Sequence, residues 1–254
     1  MNSPKIIDFF TRLKRSINYA PALYQVSGSP SRFLLFLNDM IKTAIQERNF
    51  YSARLLHDLP LYAMGASVFL DNGEGILCAL ELYGQKVYFP SSKFLIKSGD
   101  IVIDLGANIG VFSILAAKLG GQVVSVEAQK QMLPKIKKNL ERNHLTAKVI
   151  HGMIGSGTGF FSATNQTIAP PITLDEIMTK VGLDHIDFLK IDVEGSEFGL
   201  FSKPGEWISK TEKIAMEIHP QFGNPVIITN TLKKAGFQVS TKQRNNQGFI
   251  YGWK

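Results

Sequence analysis

Through the N-terminal quarter of the chain, apolar residues recur every three or four positions, the spacing of a helix that buries one face. Ile6, Ile7, Phe9, Phe10 and Leu13 form one such set behind Ser3 and Pro4, a pair suited to capping and opening a helix. The stretch "SPSRFLLFLNDMIKTAIQ" repeats the pattern behind Ser29 and Pro30. Between residues 66 and 90 the rhythm shortens: "ASVFLDNGEGILCALELYGQKVYFP" alternates and is broken at Asn72-Gly73, Gly75 and Gly84, which predicts short antiparallel strands. From residue 100 apolar runs of strand length alternate with helix-period segments. "DIVIDL", "QVVSVEA", "AKVIHGMI", "DFLKIDV" and "EKIAMEIH" read as strands; "VFSILAAKL", "QMLPKIKKNLERN" and "TLDEIMTKVG" read as helices. Such alternation predicts an α/β fold with a mostly parallel sheet and helices on both faces. "GFQVSTKQ" and "QGFIYGWK" predict a closing antiparallel hairpin. The expected division is an extension of helices and short strands over residues 1–97, on the substrate or oligomer side, and a sheet-based core over residues 98–254.

Composition narrows the chemistry. Cys78 is the only cysteine among 254 residues, which excludes an intrachain disulfide and a cysteine-based zinc cage. It also points to a reducing, cytoplasmic setting. No secretory signal is visible, and the most apolar early run is interrupted by Asn38, Asp39 and Lys42, so no transmembrane segment is expected. The formal charge of +7 is concentrated at the ends. Residues 1–62 carry eight basic and four acidic side chains, and residues 231–254 carry five basic and no acidic ones. The middle of the chain is therefore slightly acidic, which argues against a nucleic-acid groove over the core.

Candidate chemistry begins at "IDLGANIG", residues 103–110, where the first core strand turns into a helix. Gly106 permits a tight turn, and Gly110 lets the helix N-terminus approach a ligand closely. The spacing G-x-x-x-G departs from the dinucleotide pattern G-x-G-x-x-G, and Asp104 ends the strand. An acid there suits a ligand with an ammonium group and no pyrophosphate. Glu127 ends the second strand, where a carboxylate can accept hydrogen bonds from both hydroxyls of a ribose. Met153, at the end of the third strand, offers a soft apolar surface for a purine face. His151 is either a partly buried polar cap or a second purine contact.

The string "DLGANIGVFSI", with "ITLDEI", "FLKIDVEGSE" and "AMEIHP" downstream, resembles the FkbM family of class I S-adenosylmethionine-dependent methyltransferases. The resemblance covers about residues 94–220 and implies a Rossmann-like class I methyltransferase sheet. It further implies that Asp104, Gly106, Asn108 and Gly110 line the methionine part of S-adenosylmethionine, that Glu127 binds the ribose, and that residues 151–153 edge the adenine. The expected reaction is O-methylation of a small-molecule or glycan hydroxyl, on a sugar, polyketide or other secondary metabolite. A nucleic-acid methyltransferase of the same fold and a non-catalytic nucleoside-binding module are the alternatives. The N-terminal helices offer a surface for a homo-oligomer.

Three acids in "DFLKIDVEGSEF" differ in what they suggest. Asp192 ends a strand and faces the crevice where open parallel sheets bind ligands, so it is expected beside the transferred methyl group and the cofactor. Glu197 falls at a helix start, where the helix dipole favours an acid by roughly 0.3–1 kcal/mol. Glu194 is open between the two. Glu217 and His219 stand two apart at the end of the next strand and are expected on one face. Asp192, Glu217 and His219 then form a catalytic set with two readings. Either His219 is a metal-free general base with a pKa near neutrality, the favoured one, or the three hold Mg²⁺. Phe160, Phe161 and Pro170-Pro171 read either as an apolar wall for the acceptor or as a packed loop.

Overall fold

The computed structural model describes residues 19–46, 53–155, 169–244 and 247–254. The helix expected behind Ser3 and Pro4 and the Phe160–Phe161 segment lie outside them. The chain divides into two compact units, Met1–Val87 and Tyr88–Lys254. The division falls ten residues before the expected one. The reason is aromatic: Tyr88, Phe89 and Phe94 pack against Phe112, Phe188, Phe249 and Tyr251 of the larger unit. No helix among the described residues is long and apolar enough to cross a membrane.

The smaller unit contains α1 (residues 19–27), α2 (Pro30–Gln46) and a hairpin of β1 (Leu61–Ala63) and β2 (Ala66–Val68). Met64 and Gly65 both take positive φ at the tip, the geometry that twists a two-residue turn to match its strands. Asp39 on α2 is 1% exposed and accepts hydrogen bonds from the backbone of Leu56 and His57 and from the His57 ring. The strands expected beyond residue 75 are not there. Ile76–Ala79 is a helical turn, α3, that runs into a π-helical turn over Leu80–Gly84. "ILCALEL" is apolar on nearly every residue, so its alternation was too weak to distinguish a buried helix from a strand.

The larger unit is a seven-stranded sheet in the order β5-β4-β3-β6-β7-β9-β8. Five strands are parallel: β3 (Ile101–Leu105), β4 (Gln122–Glu127), β5 (Lys148–His151), β6 (Ile186–Ile191) and β7 (Thr211–Ile218). The hairpin of β8 (Gln238–Arg244) and β9 (Gln247–Trp253) adds antiparallel to β7. The connecting helices are α4 (Val111–Lys118), α5 (Leu133–Arg142), α6 (Leu174–Val181), α7 (Glu197–Ser202) and α8 (Pro225–Lys234). Thr173 and Glu176 close a reciprocal capping box on α6, worth about 1 kcal/mol. Helix α8, not among the expected elements, carries its own start signal, Asn224 capping and Pro225 at the first position.

Period-two alternation sorts the sheet into two faces. Ile103, Leu105, Leu189, Ile191, Ile214 and Met216 enter a core shared with Leu174, Ile177, Trp207, Ile228 and Leu232. On the opposite face lie Val102, Asp104, Phe188 and Lys190, with Phe112 of α4 packed on Phe188. Strand order reverses between β3 and β6, since β4 and β6 flank β3 on either side. The carboxyl ends of these strands therefore open a crevice at the switch point, where sheets of this kind bind ligands.

Candidate active site

An open cleft occupies that crevice. Its walls are strand ends and the turns that follow: Gly106 and Asn108 after β3, Glu127 at the end of β4, Gly152 to Ile154 after β5, and Asp192 to Glu194 after β6. Gly106 has φ +73° and sits so close to β6 that an added Cβ would lie 1.7 Å from the Asp192 carbonyl oxygen. Glycine is required there by both conformation and space. Asn108 adopts φ +51°, and its N–H donates to Glu127 Oε2 at 2.7 Å; the Gln129 N–H donates to Oε1 at 2.7 Å. Two backbone donors thus aim the Glu127 carboxylate, and burial raises its pKa above the ordinary value.

Of the residues expected around a nucleoside, Gly106, Asn108, Glu127, Met153 and Asp192 line the cleft, whereas Asp104 and Gly110 do not. Asp104 is fully buried on the α4 side of the sheet, 3.0 Å from Lys190 Nζ, and accepts the Ser113 hydroxyl at 2.6 Å. An internal ammonium stands where the ammonium of a ligand was expected. Removing one member of such a buried pair costs about 3–5 kcal/mol, because the other is left charged and desolvated. Gly110 caps α4 at φ +86°, with Ile136 of α5 3.2 Å from the position of an added Cβ, so it serves close helix packing. The His151 ring is held by the Ala128 carbonyl oxygen at 3.0 Å and does not line the cleft.

The second half of the site is built from side chains. Asp192 Oδ2 accepts the Tyr88 hydroxyl at 3.0 Å and lies 3.9 Å from Lys190 Nζ. Lys190 is itself buried and donates to the Gly106 and Leu105 carbonyl oxygens at 2.8 and 3.3 Å. Burial would lower its pKa, but the charges of Asp104 and Asp192 outweigh that and raise it, so it stays an ammonium. His219 follows β7. Its ring Nδ1 donates to Glu197 Oε1 at 3.1 Å, its backbone N–H donates to the same oxygen at 2.8 Å, and its Nε2 lies 3.4 Å from Glu194 Oε2. Glu197 is fully buried and also accepts the Gly195 N–H at 2.8 Å. Burial alone would lower the His219 pKa. The Glu197 hydrogen bond and charge, with the charges of Glu194 and Asp192, overcome this and push it up to about 9.

Two expectations change here. Glu217 does not join Asp192 and His219. Strand β7 ends at Ile218 and the alternation ends with it. Glu217 is held across the antiparallel pair by Gln247 Nε2 at 2.9 Å, while Glu197 captures the His219 backbone. Glu194 takes the expected place: among the described residues, Asp192, Glu194 and His219 offer ligand atoms within 4.8 Å of one another, a spacing a divalent ion would also fit. Nor is Glu197 only an acid at a helix start, since it orients the histidine. The signal that could have found it is the sheet order: adjacent β6 and β7 bring residues just after each strand together. Burial also raises the Glu194 pKa, with the Asp192 charge adding to it.

A family model described as the methyltransferase FkbM domain matches residues 104–239. Over 65 residues the chain is 34% identical to the ribosomal protein L11 methyltransferase of Thermus thermophilus, a stretch that makes up 26% of either protein. Over 76 residues it is 32% identical to the AMB antimetabolite synthetase AmbE of Pseudomonas aeruginosa, covering 28% of this chain and 4% of that one. The matched stretch thus spans about a quarter or less of these curated relatives. Among solved structures, the methyltransferase FkbM of Methylobacillus flagellatus KT superposes with a TM-score of 0.48 and 19% identity, covering 66% of this chain and 47% of that one. A 16S rRNA methyltransferase of T. thermophilus in complex with AdoMet and guanosine superposes with a TM-score of 0.47 and 17% identity, covering 80% and 53%.

Proposed function

The chain belongs to the FkbM methyltransferase family, and we propose that it transfers the methyl group of S-adenosylmethionine to a hydroxyl of a small-molecule or glycan acceptor. The observation that carries this reading is a histidine held by Glu197 beside an open cleft at the carboxyl ends of the parallel strands. The cleft residues fit the cofactor. Glu127 keeps lone pairs for the ribose hydroxyls, Val126, Met153 and Ile154 offer apolar surface to a base, and Asp192 lies beside the Gly106 turn. When bound, the cofactor supplies an already activated methyl sulfonium.

The protein's share of the chemistry is alignment and removal of one proton. Glu197 accepts a hydrogen bond from Nδ1–H, which keeps that proton in place and leaves Nε2 as the basic atom of the neutral ring, facing Glu194 and Asp192. Neutral His219 takes the acceptor proton at Nε2 as the hydroxyl oxygen is alkylated, and the resulting imidazolium is stabilised by Glu197. This proton transfer contributes about 10²–10⁴ in rate. Because the ring is held protonated up to about pH 9, activity should climb with pH toward that value. The expected near-neutral pKa is replaced by a stronger base that is scarcer at pH 7.

We carry the metal-free form of this mechanism, in which the His219 imidazolium itself balances the facing carboxylates. The test combines a panel of hydroxyl acceptors and an RNA arm, with S-adenosylhomocysteine release as the readout. Hydroxyl turnover that survives exhaustive EDTA treatment supports the reading. Turnover confined to RNA, or lost with EDTA and restored by Mg²⁺, overturns the acceptor or the metal-free step respectively.

A further inference from the structure

We infer that Tyr88 is a positioning residue for Asp192, which it holds together with Lys190 so that one carboxylate oxygen faces the cleft. The inference rests on the proposed methyl transfer, in which Asp192 stands beside both cofactor and acceptor. Every buried phenol needs an acceptor, and most such bonds merely satisfy the hydroxyl. The Tyr88 bond differs in what it grips. Its partner is not a backbone carbonyl inside the core but the carboxylate of a cleft-lining residue whose side chain is 29% exposed.

The geometry of the grip is one-sided. The Tyr88 hydroxyl at 3.0 Å and the Lys190 ammonium at 3.9 Å both address Oδ2 of Asp192. Among the described residues neither anchor engages Oδ1, which is left for a ligand in the cleft. The anchors are themselves fixed. The Tyr88 ring is buried edge-on against Phe112 and Phe249, and the Lys190 ammonium lies 5.5 Å from the Tyr88 ring centroid. Lys190 is also tied to the Gly106 carbonyl oxygen, so the same cation touches the turn that lines the nucleoside side of the cleft. Burial, then the charges of Asp192 and Glu217, lift the Tyr88 phenol well above its ordinary pKa, so it remains a donor at any working pH. Tyr88 is the first residue of the larger unit, 104 positions from Asp192 in sequence.

A double-replacement cycle tests this: Tyr88→Phe, Asp192→Ala and both together, each measured for turnover, for S-adenosylmethionine affinity by calorimetry and for melting temperature. Tyr88→Phe keeps the ring and removes only the hydroxyl. It should lower turnover about tenfold and weaken cofactor binding about threefold, the losses expected for one hydrogen bond to a charged group. In the Asp192→Ala background the same change should cost nothing in either readout. It should also raise the melting temperature, because it removes a buried hydroxyl that has lost its acceptor. Losses that multiply with those of Asp192→Ala, or wild-type turnover and affinity in Tyr88→Phe, overturn the inference. A chain that shows the coupling in cofactor affinity but methylates no acceptor refutes the proposed reaction and leaves the positioning role supported.

Discussion

The two halves of the cleft are made of different material. On one side, after β3, β4 and β5, the wall is mostly main chain: the Gly106 turn, the Asn108 N–H and a Glu127 carboxylate aimed by two backbone donors. On the other, after β6, the wall is Asp192 to Glu194, and behind it a lattice of charged side chains, Lys190, Glu197 and His219, sets the orientation of those acids. A main-chain wall tolerates little variation in shape but carries little charge. A side-chain lattice can raise a pKa, as at His219, but it fails as a unit when one member is removed. One half is suited to holding an invariant group and the other to moving a proton.

The comparison breaks most severely at the residue shared by both halves. Gly106→Ala forces a Cβ against the Asp192 carbonyl oxygen and holds alanine at positive φ, so it should cost more than about 2 kcal/mol of stability in denaturant unfolding. It should also abolish cofactor binding and turnover together. His219→Ala should damage only the side-chain half: turnover falls by about a thousandfold while S-adenosylmethionine affinity by calorimetry stays within twofold. Equal losses in both would remove His219 from the proton-transfer role.

Glu127→Ala is the mirror experiment. Losing the ribose-facing carboxylate should weaken cofactor binding about 10- to 30-fold, with turnover at saturating cofactor little changed. Glu197→Gln sharpens the account of the histidine. Removing the largest influence that raises the His219 pKa should move the rising limb of kcat/KM from near pH 9 toward neutrality, with a lower plateau because the ring is less well aimed. A limb that stays in place would mean that another group titrates there.

The smallest effect is on stability. His219 holds its proton up to about pH 9 when folded but only to about 6.5 when unfolded, so the folded state binds more protons in between. Its stabilising contribution is complete below pH 6.5 and fades as pH rises through 9. The melting-temperature gap between the wild type and His219→Ala should therefore be a few degrees at pH 6 and close by pH 10. A gap that widens with pH would contradict the raised pKa.

How much of this was legible beforehand follows the same divide. The Gly106 turn, Asn108, Glu127 and Met153 could be read from the chain because each is defined within a strand and the turn after it, and strand ends of a parallel sheet converge. Asp192 was legible for the same reason. Glu217, by contrast, was grouped with His219 on the assumption that strand alternation continues, when the strand stops one residue short. Glu197 reads locally as an acid at a helix start because its partner lies 22 residues away, just after the next strand. Asp104 was read as open to a ligand because nothing local announces Lys190 as its counter-ion.

What the sequence determined alone is therefore the parallel α/β core, its closing hairpin and the main-chain half of the cleft. These depend on periodicity and on glycine at positive φ, which a few neighbouring residues encode. The tertiary structure alone decided the partner of each buried charge. It placed Lys190 between Asp104 and Asp192, Tyr88 on Asp192 and Glu197 on His219. The physical reason is that a carboxylate reaches only a few ångströms and burial forces it to find a donor, while which donor is near is set by strand order rather than by any local pattern.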